Sequence, residues 1–159
     1  MGRTFMPPLD CPFRTADRLL EELADKVRIV IVDFHAEATA EKVSMGWHLD
    51  GRVSAVFGTH THVATADERV LPGGTAYITD LGMTGPYDSV IGMARESVLR
   101  HMLTALPHRF EVAAGEARMD MAVVEIDPQT GRAFSIRRLH RFTEYKADVQ
   151  VAFKVDGTD

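Results

Sequence analysis

One cysteine, Cys11, stands alone among the 159 residues, so no intrachain disulfide can form. A chain without disulfides suits a reduced compartment, and a cytoplasmic setting is expected. No apolar run is long enough to cross a bilayer, so no membrane partner is expected. The opening residues Met1-Gly2-Arg3-Thr4-Phe5-Met6 lack the basic-then-apolar order of a secretory signal. Positive charge is also in short supply: 18 Lys and Arg against 23 Asp and Glu give a formal net charge of -5. Broad binding to a nucleic-acid backbone needs a basic face, and this balance argues against it. A small phosphorylated substrate stays open, because a metal ion can supply the missing charge. No P-loop, dinucleotide-binding glycine pattern or Gly-x-Ser-x-Gly turn occurs, and no internal repeat.

What is present fits one globular α/β domain with a core of its own: 45% of residues are apolar and 26% charged. Arg3 to Met6 has the pattern of a short strand, and Pro7, Pro8 and Pro12 then interrupt regular structure. Thr15 to Lys26 reads as an amphipathic helix, with Leu19, Leu20, Leu23 and Val27 at helical spacing and Thr15 as its cap. Ile29 to Val32 is a continuous β-branched run, which suits a strand covered on both faces. A second helix over Ala38 to Leu49 and a second buried strand over Val53 to Phe57 follow. Helix, strand, helix, strand in that order predicts a βαβ crossover and a sheet flanked by helices. Further on, Pro72-Gly73-Gly74 and Pro128-Gln129-Thr130-Gly131 mark two hairpins, Glu68–Leu71 with Thr75–Thr79 and Met119–Asp127 with Arg132–Phe142. Between them, Asp80 to Tyr87 reads as a glycine-rich loop and Arg95 to Leu106 as a helix ended by Pro107.

The chemistry concentrates where the two buried strands end. His60 and His62 lie just past the second strand, at i and i+2 among the small residues Gly58, Thr59 and Thr61. If extended geometry continues through them, both rings leave the same face. Neutral imidazole is a common ligand of zinc, iron and manganese. The same spacing also arises from one exposed histidine and one that caps a loop, and spacing alone does not choose. His35 ends the other strand. Parallel α/β sheets gather ligand sites at the carboxyl ends of their strands, so parallel pairing would bring His35, His60 and His62 to one edge. Asp33, Glu37 and Asp67 surround them as structural carboxylates or as supports for a ligand histidine. Gly82, within Asp80-Leu81-Gly82-Met83-Thr84-Gly85-Pro86, can bring backbone amides close to a ligand or simply serve a surface connection. His48, His101, His108 and His140 fall in or beside predicted elements and read as structural. No histidine near Cys11 in sequence supports a catalytic thiol there.

Three segments in succession, Asp33-Phe34-His35-Ala36-Glu37-Ala38-Thr39-Ala40-Glu41-Lys42, Gly58-Thr59-His60-Thr61-His62-Val63-Ala64-Thr65-Ala66-Asp67 and Gly74-Thr75-Ala76-Tyr77-Ile78-Thr79-Asp80-Leu81-Gly82-Met83-Thr84-Gly85-Pro86, carry a resemblance. From about Gly2 to about Leu139 the chain resembles the bacterial YmdB-like metallophosphoesterases of the calcineurin-like superfamily. That resemblance implies a four-layer α/β/β/α sandwich and a centre of two divalent or trivalent metal ions, iron first and manganese or zinc as alternatives. It implies hydrolysis of phosphodiesters, with 2′,3′-cyclic nucleotides as the substrate class. Carried over by motif, His35 and His60 would bind one metal and His62 the other. A dinuclear centre activates water and clamps phosphate oxygens during in-line attack.

The resemblance also implies parts that this sequence does not contain. Family members open with a strand carrying a metal-binding aspartate, then supply a bridging glutamate and a Gly-Asn-His segment holding the general acid. On that comparison, residues 1–142 correspond to the C-terminal portion of the domain, with 143–159 as a tail of unclear structure and the N-terminal half missing. No catalytic residue is then expected in this chain, which would supply the histidine half of the centre and be incomplete alone. Its exposed sheet edge and apolar surface would favour a homo-oligomer. Two other readings stay in view: a non-catalytic metal-binding or interaction fragment, and a mononuclear hydrolase using His35, His60 and His62.

Overall fold

The computed structural model describes residues 1–24 and 26–143; most of the predicted tail lies outside them. The chain enters helix α1 (Pro12–Leu23) at a proline, which at the first helical turn removes no needed donor and presets φ. Pro12 therefore starts the helix that was expected to begin at Thr15, and Cys11 rather than Thr15 holds the cap position. Strand β1 (Ile31–His35), helix α2 (Thr39–Leu49) and strand β2 (Ala55–Thr59) follow as a βαβ unit. The pair β1–β2 is parallel, with His35 opposite Thr59.

β2 pairs in parallel with β4 (Ala76–Ile78), which forms a hairpin with β3 (Arg69–Val70), giving the sheet order β1-β2-β4-β3. β1 is thus an edge strand among the described residues. The two-sided burial expected from its β-branched run is not seen: Ile31 is 56% exposed. A second sheet, β5-β6-β7, is antiparallel and comprises Thr84–Pro86, Ala117–Ile126 and Ala133–Thr143. The loop expected over Asp80 to Tyr87 therefore contains a short strand, with Gly85 opposite Arg118.

Two apolar clusters order the layers. Phe13, Ala16 and Leu20 of α1 and Val43, Met45 and Leu49 of α2 pack with Phe34, Val56 and Tyr77 on one face of the first sheet. Gly46 allows α2 this approach, because a Cβ there would lie 2.5 Å from the Tyr77 ring. On the other face, Ala55, Ala76 and Phe57 meet Ala133, Val124, Ile126 and Ile136 of the second sheet. The described layers run helix, sheet, sheet, a mixed α/β architecture. The third helix, α3 (Arg95–Thr104), buries only Ser97 and Val98.

The strand expected over Arg3 to Met6 does not form. The Gly2 N–H donates to the His35 carbonyl, and the Arg3 and Thr4 N–H groups donate to the Glu41 carboxylate at 3.1–3.2 Å. Bound in this way, the segment lies across the end of β1 instead of beside a strand, and it turns at Phe5, whose φ is 60°. No described helix is long and apolar enough to cross a membrane.

Candidate metal centre

Parallel pairing brings His35 and His60 to the same carboxyl edge. His60 Nδ1 lies 3.0 Å from His35 Nε2, and the two rings meet edge to face with centroids 4.7 Å apart. The tautomer of His35 follows from its neighbours. Thr59 has one hydroxyl proton, and it donates that proton to Asp33 Oδ1 at 2.8 Å. The Thr59 oxygen then accepts from His35 Nδ1–H at 3.1 Å. In the neutral ring the lone pair is then on His35 Nε2, facing His60. Asp33 thus reaches His35 through the Thr59 hydroxyl. A ring nitrogen fixed by a hydrogen bond on its far side is the usual arrangement of a metal-ligating histidine. On the opposite side of the pair, Glu37 Oε2 stands 2.9 Å from His60 Nε2.

The extended geometry expected through the two loop histidines does not occur. β2 ends at Thr59, and His60 and His62 both take positive φ, 107° and 63°. Positive φ at non-glycine residues costs energy and persists only where surrounding contacts enforce it. His62 swings away from the pair and places Nδ1 3.0 Å from the Ile91 carbonyl. A carbonyl can only accept, so His62 Nδ1 carries a proton, and in the neutral ring of this exposed residue Nε2 is the nitrogen with the lone pair.

The contacts that enforce this loop centre on Asp80, which sequence reasoning left unassigned. Its carboxylate is buried and accepts from Lys42 Nζ at 2.6 Å, Thr61 Oγ1 at 2.8 Å, Thr61 N at 3.1 Å and Gly82 N at 2.9 Å. Burial pushes the Asp80 pKa up, but the Lys42, Gly82 and Thr61 donors outweigh it and hold the group below the ordinary carboxylate range. Thr61 and Gly82 therefore act on the loop through Asp80. Gly82, at φ 92°, has no room for a side chain, since a Cβ would lie 2.5 Å from Asp120 Oδ2. Asp67 touches none of the three histidines. It accepts from Thr65 Oγ1, Thr79 N and Thr79 Oγ1 at 2.5–3.1 Å, bracing the end of β4. Gly58 is the contact between the two systems, because a Cβ there would lie 1.7 Å from the Thr79 carbonyl oxygen.

Nothing in local sequence marks Lys42 and Asp80 as partners 38 positions apart. The one signal was an ionisable lysine on the face of a helix that must pack on the sheet.

The donor set suits a transition-metal ion in part. With metal–nitrogen bonds of about 2.1 Å, two ligand nitrogens side by side on one ion are separated by roughly 3.0–3.4 Å. His35 Nε2 and His60 Nδ1 could hold an ion at that separation. Among the described residues, no three His, Cys, Asp or Glu side chains converge on one point as a metal site.

The fold and this edge define a class: an α/β protein whose histidines gather at the carboxyl ends of parallel strands, where such sheets bind their ligands. More particularly, the chain belongs to the YmdB-like protein family, whose sequence pattern matches residues 1–139. It is 56% identical over 138 residues to a 2′,3′-cyclic-nucleotide 2′-phosphodiesterase of Bacillus subtilis, covering 87% of this chain and 52% of that protein. A putative phosphatase/phosphodiesterase of Mycoplasma pneumoniae is 44% identical, over 75% of this chain and 44% of its own length. Among solved structures, a hypothetical protein from Thermus thermophilus superimposes with a TM-score of 0.83 at 48% identity, over 89% of this chain and 55% of that one. A novel phosphatase of Mycoplasma pneumoniae gives a TM-score of 0.79 at 37% identity, over 86% and 50%. The chain spans about half the length of the relatives it matches.

Proposed function

We propose that this chain carries the histidine part of a metal-dependent phosphodiesterase acting on 2′,3′-cyclic nucleotides or closely related phosphodiesters. The observation that carries this is the His35–His60 pair, with the His35 lone pair fixed by Thr59 and Asp33 and aimed at its neighbour. The named activity of the Bacillus subtilis relative supplies the substrate class. His35 and His60 would hold one metal ion, and His62, protonated at Nδ1 by its bond to Ile91, would offer Nε2 to a second. Iron is the first candidate, with manganese and zinc as alternatives. The ions would activate water and neutralise phosphate charge. The chain's own residues set ligand direction: Thr59 and Asp33 for His35, Glu37 for His60, Asp80 for the loop. The remaining ligands and the general acid would come from outside these residues, within a four-layer sandwich that encloses the edge.

Two nitrogens do not make a complete site, so the chain by itself should turn over phosphodiesters weakly or not at all. The test is a metal count and an assay with 2′,3′-cyclic AMP, on this chain and on a protein of the relatives' full length. Metal in both, with robust turnover only in the longer one and its loss on His60→Ala, is the expected result. Full activity in a His60→Ala variant, or no metal in either protein, would sink the proposal. A mononuclear hydrolase on His35, His60 and His62 would require His62 to leave the Ile91 carbonyl, and one firmly bound metal per chain would favour it.

A further inference from the structure

The second sheet changes character along its length. Val124 and Ile136, opposite each other on β6 and β7, pack against the first sheet. Side chains two residues apart on a strand share a face. The same face therefore continues through Ala122 and Arg138, then Asp120 and His140, then Arg118. A sheet face turned toward another sheet is ordinarily apolar, yet this one becomes charged where it passes the histidine loop. A cavity of about 340 Å³ opens there, walled by Ala64, Leu81, Arg118, Asp120, Arg138 and His140. Ala64 lies two residues beyond His62, which is no more than about 7 Å along the chain. The volume is at the small end of the range for ligand pockets.

We propose that this cavity takes the purine base of a nucleotide, stacked on the Arg118 guanidinium and held at N7 by Arg138. The inference rests on the phosphodiesterase reading for its nucleotide and adds a subsite for the base. Arg118 is held as a flat platform. Its guanidinium lies over the Tyr87 ring, 3.3 Å from the centroid, and two of its nitrogens meet the Asp120 carboxylate at 3.0 Å each. The Tyr87 hydroxyl donates to the same carboxylate. With one face on Tyr87 and one edge on Asp120, the guanidinium keeps its other face for the cavity it borders, and bases stack on such faces. Glu68 takes the Nε side of Arg138 at 2.7 Å, which leaves the outer nitrogens of its fork as donors in the wall. Purine N7 is an acceptor of the kind arginine reads. A second phosphate fits less well, because Asp120 and Glu68 already balance the charge of the two arginines.

Backbone amide shifts of the whole, metal-free chain, titrated with nucleosides, test the proposal. Nucleosides carry no phosphate, so the outcome is independent of metal binding and turnover, and a failed metal site would leave it standing. Adenosine and guanosine should shift the Ala64, Leu81 and Gly82 amides saturably, and inorganic phosphate should leave them in place. 7-Deazaadenosine, which lacks the N7 acceptor, should bind about tenfold more weakly than adenosine, as loss of a hydrogen bond to a charged donor implies. Arg138→Lys keeps a cation for Glu68 but loses the fork, and it should weaken adenosine by a similar factor while leaving 7-deazaadenosine unchanged. Should that variant fail to fold, the comparison of the two nucleosides on the wild type decides alone. Nucleosides that do not move these amides, 7-deazaadenosine bound as tightly as adenosine, or a folded Arg138→Lys chain with undiminished adenosine affinity would each overturn the proposal. So would phosphate shifting the same amides in place of the nucleosides, which would make the cavity an anion site.

Discussion

The histidine loop and the α3 unit use opposite means to hold irregular backbone in place. In the loop, positive-φ residues are bound from within, by a buried carboxylate that accepts four donors and by a glycine with no spare room. In the α3 unit, a few backbone hydrogen bonds fasten a helix that leaves most of its apolar side chains outside. Mutations should therefore act differently in the two regions. A change in the loop strikes buried polar groups that cannot rearrange. A change on the exposed face of α3 should leave the fold alone.

The largest effect is expected at the Lys42–Asp80 pair. Lys42→Met leaves the Asp80 carboxylate buried without its cation, and such uncompensated charges cost about 3–5 kcal/mol. Urea denaturation should show a loss of that size, and a change below about 1 kcal/mol would mean that the pair does not hold the loop. Gly58→Ala comes next. Its Cβ meets the Thr79 backbone and cannot be relieved by a rotamer, so a loss of about 2–3 kcal/mol is expected by the same measurement.

Acid should separate the two regions in another way. Asp80 and Asp67 both titrate below their ordinary range, each because hydrogen-bond donors outweigh the upward push of burial. Groups whose folded pKa is depressed stabilise the fold fully above the unfolded value of about 3.9. That stability is lost as pH falls through their lower folded values. The urea midpoint should therefore drop in acid, and Asp67→Asn should make the drop shallower. An unchanged slope in that variant would remove Asp67 from the account.

Thr59→Val tests the support of His35. The substitution keeps the shape and breaks the Asp33–Thr59–His35 chain, and supports of this kind are worth about 10–100-fold in metal affinity. The smallest effect is on the other side of the comparison: Leu103→Gln should change stability by less than about 0.5 kcal/mol, as exposed substitutions usually do.

Much of this was legible in the sequence, in proportion to how local the physics is. Both hairpins announced themselves by turn residues, and α2 and α3 fell within two residues of their expected ends. The parallel pairing that gathers His35 and His60 followed from the βαβ order. What failed was non-local. A β-branched run cannot reveal that its strand lies at an edge, as β1 does. The turn at His60 depends on Asp80, twenty residues away, and Asp80 depends on a lysine in α2. Arg3 to Met6 read as a strand because its pattern could not show that Glu41 would take the Arg3 and Thr4 N–H groups.

The proposed sharing of one metal ion by His35 Nε2 and His60 Nδ1 can be read from the imidazoles themselves. Two-bond proton–nitrogen correlation spectra of the imidazoles, recorded while zinc is added, test it most directly. His35 should keep its Nδ1 proton throughout while His35 Nε2 and His60 Nδ1 shift together on binding. Rings that do not respond to zinc, or a His35 that binds through Nδ1, would contradict it.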